Sequence, residues 1–204
     1  MKLYYSPGAC SLACHITLAE TGKPFAIERA DLRSKTTETG ADFAAITPRG
    51  AVPALELDSG EVLTEGVAIM QFVTDNLTPG ALPAQGTLER ARLQETLNFI
   101  ATEVHKTYGP FFRGLEGAAR EAQIALLNQR LALVEARLAD GRDWVMGAAY
   151  SPADAYLFTV TNWSAYIQHD LSAYPHLNAL RARIAARPAV IAAMKAEGLL
   201  KDAA

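Results

Sequence analysis

Two thiols near the start of the chain, Cys10 and Cys14 in the stretch YYSPGACSLACH, are the residues whose type and spacing most directly suggest chemistry. Their C-x-x-x-C spacing is one residue longer than the C-x-x-C of dithiol redox motifs. On a helix, neighbours at i and i+4 keep their Cβ atoms about 5–6 Å apart, whereas a disulfide needs about 3.5–4.5 Å. An intrahelical bridge would therefore strain the helix. A metal site lacks ligands, because His15 points about 100° away from Cys14 on a helix and the sequence holds no further Cys–His cluster. On the residues alone, Cys10 is either a working thiol or an inert, partly buried cysteine. Cys10 follows a strand-like run and a Pro-Gly turn and opens a helical stretch, where unpaired N–H groups and the helix dipole favour an anion. Such placement is expected to lower a thiol pKa from about 8.5 toward 3.5–7.5. Cys14 lies one turn deeper, beyond the reach of the dipole, and is read as a small apolar helix residue.

Other polar groups are candidates for binding. Thr64-Glu65-Gly66 lies at the turn into a helix, so Gly66 and the next backbone N–H groups form an anion site while Glu65 offers a carboxylate. These residues also cap the helix, and both roles can hold at once. Lys35 lies in a polar connection, Arg33 to Asp42, and on its own reads as a solvated charge. Asn98, Thr102 and His105 fall at i, i+4, i+7, a polar stripe of the kind a helix turns to solvent. His15, His169 and His176 have no such context and read as structural.

The elements that must position these groups change character along the chain. Residues 2–5 and 25–30 are short β-type runs flanking a helical stretch in which Leu12, Ile16 and Ala19 share a face; it stops at Gly22 with Pro24 just beyond. After the polar connection, TPRGAVPALELDSGEVLTEG reads as a turn and a hairpin, and Val67 to Leu77 as a helix. The order β-α-β, connection, β-β-α over residues 1–77 is the thioredoxin-like arrangement, in which Val52-Pro53 takes the place of a cis-proline. Residues 78–87, TPGALPAQGT, read as a linker. From 88 to 204 no strand is evident: Leu93, Leu97, Ile100, Val104 and Tyr108 share one helical face, as do Ile124, Leu127, Leu131, Val134 and Leu138. Ser151, Pro152 and Asp154 form a capping box opening an apolar helix marked by Tyr156, Val160, Trp163 and Ile167, and Pro175 and Pro188 open two more. The fold class is an α/β thioredoxin-like domain followed by an all-α domain.

The totals narrow the partners. Half the residues are apolar and the net charge is −3, with no Lys/Arg run, so nucleic acid is not expected. No stretch approaches the roughly 18 apolar residues that span a bilayer, and MKLYYSPG lacks the apolar core of a signal peptide. A cytoplasmic protein with small-molecule or protein partners is expected.

The segments KLYYSPGACSLACHI, VPALELDSGEVLTEGVAIMQF, LNFIATEVHK and SPADAYLFTV, set in this two-domain plan, resemble the beta-class bacterial glutathione transferases nearly end to end. The resemblance implies a homodimer that uses glutathione as co-substrate, without metal or other cofactor, and presents its sulfur to a small electrophilic or disulfide second substrate. It implies Cys10, Ser11 and His105 as the catalytic set. It implies a glutathione site of Cys10, Lys35 at the glycyl carboxylate, Val52 and Pro53 at the cysteinyl backbone, Glu65 and Gly66 at the γ-glutamyl end, and Asn98, Thr102, Glu103, Val104 and His105, some of them acting from the partner subunit. Alternatives left open are a glutathione-dependent thiol reductase or reductive dehalogenase working through a Cys10–glutathione mixed disulfide, and a non-catalytic ligand-binding protein. Phe111, Phe112, Tyr108 and Tyr166 are candidates for the second-substrate pocket and equally for the core.

Overall fold

The computed structural model describes residues 1–200. In chain order the elements are β1 (Lys2–Tyr5), α1 (Ser11–Glu20), β2 (Ala26–Asp31), β3 (Thr36–Thr37), α2 (Phe43–Ile46), β4 (Ala54–Glu56), β5 (Val62–Thr64) and α3 (Gly66–Leu77). Then follow α4 (Leu88–Phe99), a π-helical turn (Ile100–His105), α5 (Lys106–Tyr108), a 3-10 turn (Gly109–Arg113), α6 (Gly117–Leu138), α7 (Pro152–Tyr166), α8 (Pro175–Ala185) and α9 (Pro188–Ala196). The chain divides into two compact units, one of Met1–Leu82 with Ala186–Ala204, the other of Pro83–Ala185. This division differs from the one the sequence suggests at residues 77 and 88. The tail from Ala186 leaves the helical part because α9 packs on α1, burying Val190 and Ala193.

The first unit is a mixed sheet in the order β3-β2-β1-β4-β5, with β1 parallel to β2 and every other pair antiparallel. Leu3, Tyr4 and Tyr5 of β1 are all buried, as a central strand covered on both faces requires. Helix α1 is buried from Ser11 through Leu18, which is why its sequence shows little amphipathic contrast. Strand β3 and helix α2 fall within and just after the connection that reads as irregular. They are short elements made by local capping: Asp31 Oδ1 accepts from the Arg33 and Ser34 N–H groups at 2.8 and 3.0 Å, and Asp42 Oδ1 from Ala44 at 2.9 Å.

In the second unit Leu93, Leu97, Ile100, Val104 and Tyr108 are buried along α4, the π-helical turn and α5, and Leu127, Leu131, Val134 and Leu138 along α6. Helix α7 is buried over most of its length and depends on a fully buried carboxylate at its start. Asp154 Oδ2 accepts from the Ser151 N–H at 2.9 Å and hydroxyl at 3.0 Å, and Oδ1 accepts from the Val145 N–H at 2.8 Å. Burial raises its pKa to about 6, against the pull of those donors. Removing the carboxylate strands two buried N–H groups and a cap, so Asp154→Ala is expected to cost about 2–4 kcal/mol in denaturant unfolding. Asp154→Asn, which keeps an acceptor oxygen, should cost clearly less. An acid whose folded pKa lies above its ordinary 3.8 holds its proton more tightly when folded, so its contribution to stability falls as pH rises from about 4 to about 6. That slope should be absent from the Asn variant.

Candidate functional site

In the first unit, the turn from Ser6 to Cys10 delivers the thiol. Gly8 adopts φ +69°, a conformation that glycine reaches without strain, and the Ala9 N–H closes the turn on the Ser6 carbonyl at 3.0 Å. The Ser11 hydroxyl accepts from the Ser6 N–H at 3.2 Å and donates to the Ser6 carbonyl at 3.3 Å. Ser11 is fully buried, and its one hydroxyl proton is spent on that carbonyl. In this geometry it braces the turn that carries Cys10. The outer side of the turn is held from the far end of the chain: Glu197 Oε2 accepts from the Gly8 N–H at 2.9 Å, while Oε1 lies 2.9 Å from His15 Nδ1.

Cys10 is the N-cap residue of α1, and its thiol donates to the Val52 carbonyl at 3.4 Å. The Val52-Pro53 peptide is cis. A Cβ placed on Gly66 would lie 3.6 Å from the Pro53 ring and 3.7 Å from the Cys14 sulfur, and the Cys14 thiol donates to the Gly66 carbonyl at 3.7 Å. Glu65, with φ +69°, stands at the N-cap of α3 and forms an exposed ion pair with Arg49. Arg49 belongs to the turn that ends at Gly50, whose carbonyl accepts from Lys35 Nζ at 2.7 Å. One corner of this unit thus brings together Cys10, Val52, Pro53, Glu65 and Gly66, with Lys35 reaching it through the Gly50 turn.

The thiol itself departs from expectation. Burial raises the Cys10 pKa to about 11; its own N–H and that of Ser11 pull the other way, and Glu65 adds a little repulsion. The helix N-terminus is present but is worth only about 0.3–1 kcal/mol, less than one pKa unit, so desolvation wins. Cys10 is a neutral S–H donor at pH 7. Cys14 is fully buried, and the same cause raises its pKa well above the ordinary thiol range. Both cysteines are free.

In the second unit, Asn98 and Thr102 lie exposed on the outside of the helix, the Thr102 hydroxyl donating to the Asn98 carbonyl at 3.0 Å and Asn98 Oδ1 accepting from Gln94 at 3.0 Å. The π-helical turn widens the helix after Phe99, so His105 does not continue their stripe. Its ring lies against Trp163, with centroids 4.9 Å apart, and its Nδ1 is 2.8 Å from the Tyr156 hydroxyl. Burial, assisted by Lys106, lowers its pKa to about 4. Glu103 pairs with Arg130 at 2.9 Å, and Val104 is fully buried. Tyr108 is core, its hydroxyl 2.7 Å from Ser164 Oγ, whereas Phe111 is half-buried and Phe112 and Tyr166 are 54% and 66% exposed. His169 and His176 contact Asn128 and Glu135 at 2.7 and 2.6 Å. Arg49, Tyr156, Trp163 and Glu197 were not singled out as site residues from the sequence. Only the i, i+7 pair Tyr156 and Trp163 left a trace there, as an apolar helix face.

No group of three or more His, Cys, Asp or Glu side chains among the described residues could hold a metal ion, and none of the described helices is long and apolar enough to cross a membrane. A thioredoxin-like sheet with a thiol at its first helix and an all-helical second unit define the fold class, and comparison gives the family. Residues 8–76 match the family model "Glutathione S-transferase, N-terminal domain" and residues 99–188 match "Glutathione S-transferase, C-terminal domain". The chain is 45% identical over 201 residues to the glutathione S-transferase GstA of Escherichia coli O157:H7, covering 98% of this chain and 100% of that one. A beta-class glutathione S-transferase of Sphingomonas chungbukensis superposes with a TM-score of 0.92 at 45% identity, over 98% of this chain and 100% of that one. A sphingomonad glutathione S-transferase complexed with glutathione superposes at 0.90 and 47%, with the same coverage. The chain belongs to the glutathione S-transferase family.

Burial of Cys10 has a direct kinetic signature. Its alkylation by iodoacetamide, with Cys10→Ala as the blank, should keep rising about tenfold per pH unit beyond pH 9 and level off only near 11. A plateau near pH 7 would show the helix N-terminus winning instead.

Proposed function

We propose that this glutathione transferase holds glutathione on the Cys10 corner of its first unit and stabilises the thiolate of the bound tripeptide for attack on a small electrophile. The observation that carries the reading is the Cys10 thiol, neutral and donating to Val52 O at 3.4 Å beside the start of α3. A neutral S–H that can turn from a carbonyl to an arriving sulfur supplies a hydrogen bond to an anion, and hydrogen bonds to charged groups are worth about 1.5–3 kcal/mol. Charge complementarity supports the rest. Glu65 suits the ligand's ammonium, the first N–H groups of α3 suit the adjoining carboxylate, and Lys35 suits the glycyl carboxylate. The ammonium would displace Arg49 from Glu65. The backbone of Val52, ahead of Pro53, takes the cysteinyl part. Exposed Phe112 and Tyr166 are the aromatic surface offered to the second substrate.

Direct attack by Cys10 on a disulfide, the route of a thiol reductase, requires the thiolate and so gains only as pH rises toward 11. A neutral Cys10 therefore favours conjugation over direct disulfide attack at pH 7. The protein acts as a cytoplasmic homodimer in detoxification; exposed Leu88 and Leu133, the latter over a cavity of about 350 Å³, are the apolar surface a second copy would cover.

Two variants test the site. Glu65→Gln should raise the KM for glutathione about 10- to 100-fold with a smaller change in kcat, the loss of one charged hydrogen bond. Cys10→Ala should raise the pKa of enzyme-bound glutathione, read from thiolate absorbance, while Cys10→Ser, which keeps a donor, should raise it less. Unchanged glutathione binding in Glu65→Gln would remove the proposed site, and an unchanged bound-thiol pKa in Cys10→Ala would remove the donor role.

A further inference from the structure

His105 sits in an aromatic box built by α7. The Tyr156 ring meets it edge-on with centroids 5.9 Å apart, the Trp163 ring at 4.9 Å, and Trp163 is itself flanked by Tyr108 at 5.8 Å and Phe112 at 5.4 Å. Tyr156 and Trp163 are each only 6% exposed, so the imidazole has little freedom to rotate. Its Nδ1 lies 2.8 Å from the Tyr156 hydroxyl.

Because a neutral imidazole carries a single N–H, the partner of one ring nitrogen decides what the other can do. A phenol hydroxyl can donate or accept. Between these two groups the phenol is the stronger acid and the imidazole nitrogen the stronger base, so the bond that forms is O–H to Nδ1. We propose that Tyr156 is the positioning residue of His105: by donating to Nδ1 it fixes the Nε2–H tautomer, leaving Nε2–H as the ring's one donor for an anionic ligand atom. Which anionic ligand atom that donor serves rests on the function proposed above; the tautomer does not.

Nitrogen NMR of the full chain at pH 7 reads the tautomer directly. The four histidines are distinguished by the signal lost in His105→Gln. The expected wild-type pattern has His105 Nε2 protonated and Nδ1 bare. In Tyr156→Phe, which keeps ring volume, the two tautomers should mix, and kcat for conjugation should fall about 3- to 10-fold, the size of one neutral hydrogen bond, at nearly constant KM for glutathione. Trp163→Phe disturbs the same box without touching the O–H to Nδ1 bond, so it should keep the pure Nε2–H form. A protonated Nδ1 in the wild type overturns the proposal, as does a Tyr156→Phe protein that retains the pure Nε2–H form. Should Tyr156→Phe fail to fold, the wild-type spectrum alone decides. A wild type with Nε2–H but no glutathione binding leaves Tyr156 in its role and removes the glutathione reading instead.

Discussion

The carboxylate of Glu197 is the contact on which the first unit's chemistry depends. Its side chain is fully buried, and a buried carboxylate is costly unless donors surround it. It accepts from the Gly8 N–H at 2.9 Å and lies 2.9 Å from the His15 Nδ1. The first ties it to the turn that carries Cys10, the second to the helix that follows. Arg187, forked onto Glu20 at 2.5 and 2.7 Å, fastens the same C-terminal segment to the end of α1. The path of the chain between Tyr5 and Ser11 is thus set from both sides, by Ser11 within and Glu197 without. Cys10 is left at Val52 with little choice of position.

That positioning explains why the thiol is neutral. A helix start offers an anion two N–H groups and a weak dipole, and a solvated cysteine there would ionise early. Bracing the turn against the unit's own core removes water from the sulfur, and the desolvation cost exceeds what the helix returns. The Val52 carbonyl then accepts the hydrogen bond that water would have accepted. A hydrogen bond of this kind favours the protonated form, so the contact itself reinforces the choice.

Much of the fold was legible because it follows from local rules. The strand runs at 2–5 and 25–30, the hairpin after Pro53, the helix from about residue 67 and the capping box at Ser151 each carry their own signal in spacing and end residues, and each is present. Strand β3 and helix α2, at two and four residues, are too short to build a period, and they rest on Asx capping that reads as loop. The π-helical turn left no mark, since Ile100, Val104 and Tyr108 stay buried whether the turn is α or π. Its effect is nevertheless chemical, because it separates His105 from the exposed Asn98 and Thr102. Contacts of long sequence separation were illegible for a different reason. Nothing near Glu197 distinguishes it from any helix-terminal glutamate, and its partners stand 182 and 189 residues away. Arg49 and Glu65 were likewise unpaired on paper, because only the turn at Gly50 brings them together. Of the candidate site, the residues on one turn or one helix start were readable; those acting across elements were not.

Cys10 and His105 share one property that composition alone would not suggest. Each is neutral at pH 7, in its own unit and for the same reason, burial. For a protein proposed to keep a bound sulfur anionic yet reactive, this matters. An imidazolium would be acidic enough to return its proton to a thiolate, and a close cation would lower the energy of the nucleophile along with its pKa. Neutral donors behave differently: with a thiol pKa near 11 and an imidazole that keeps its N–H, neither gives its proton up, so each can hold an anion by hydrogen bonding alone. The stabilisation is smaller per contact than an ion pair buried in the same place, but it demands no second desolvated charge. Under the proposed function, burial, which at first sight disarms the thiol, is what fits it to serve a sulfur other than its own.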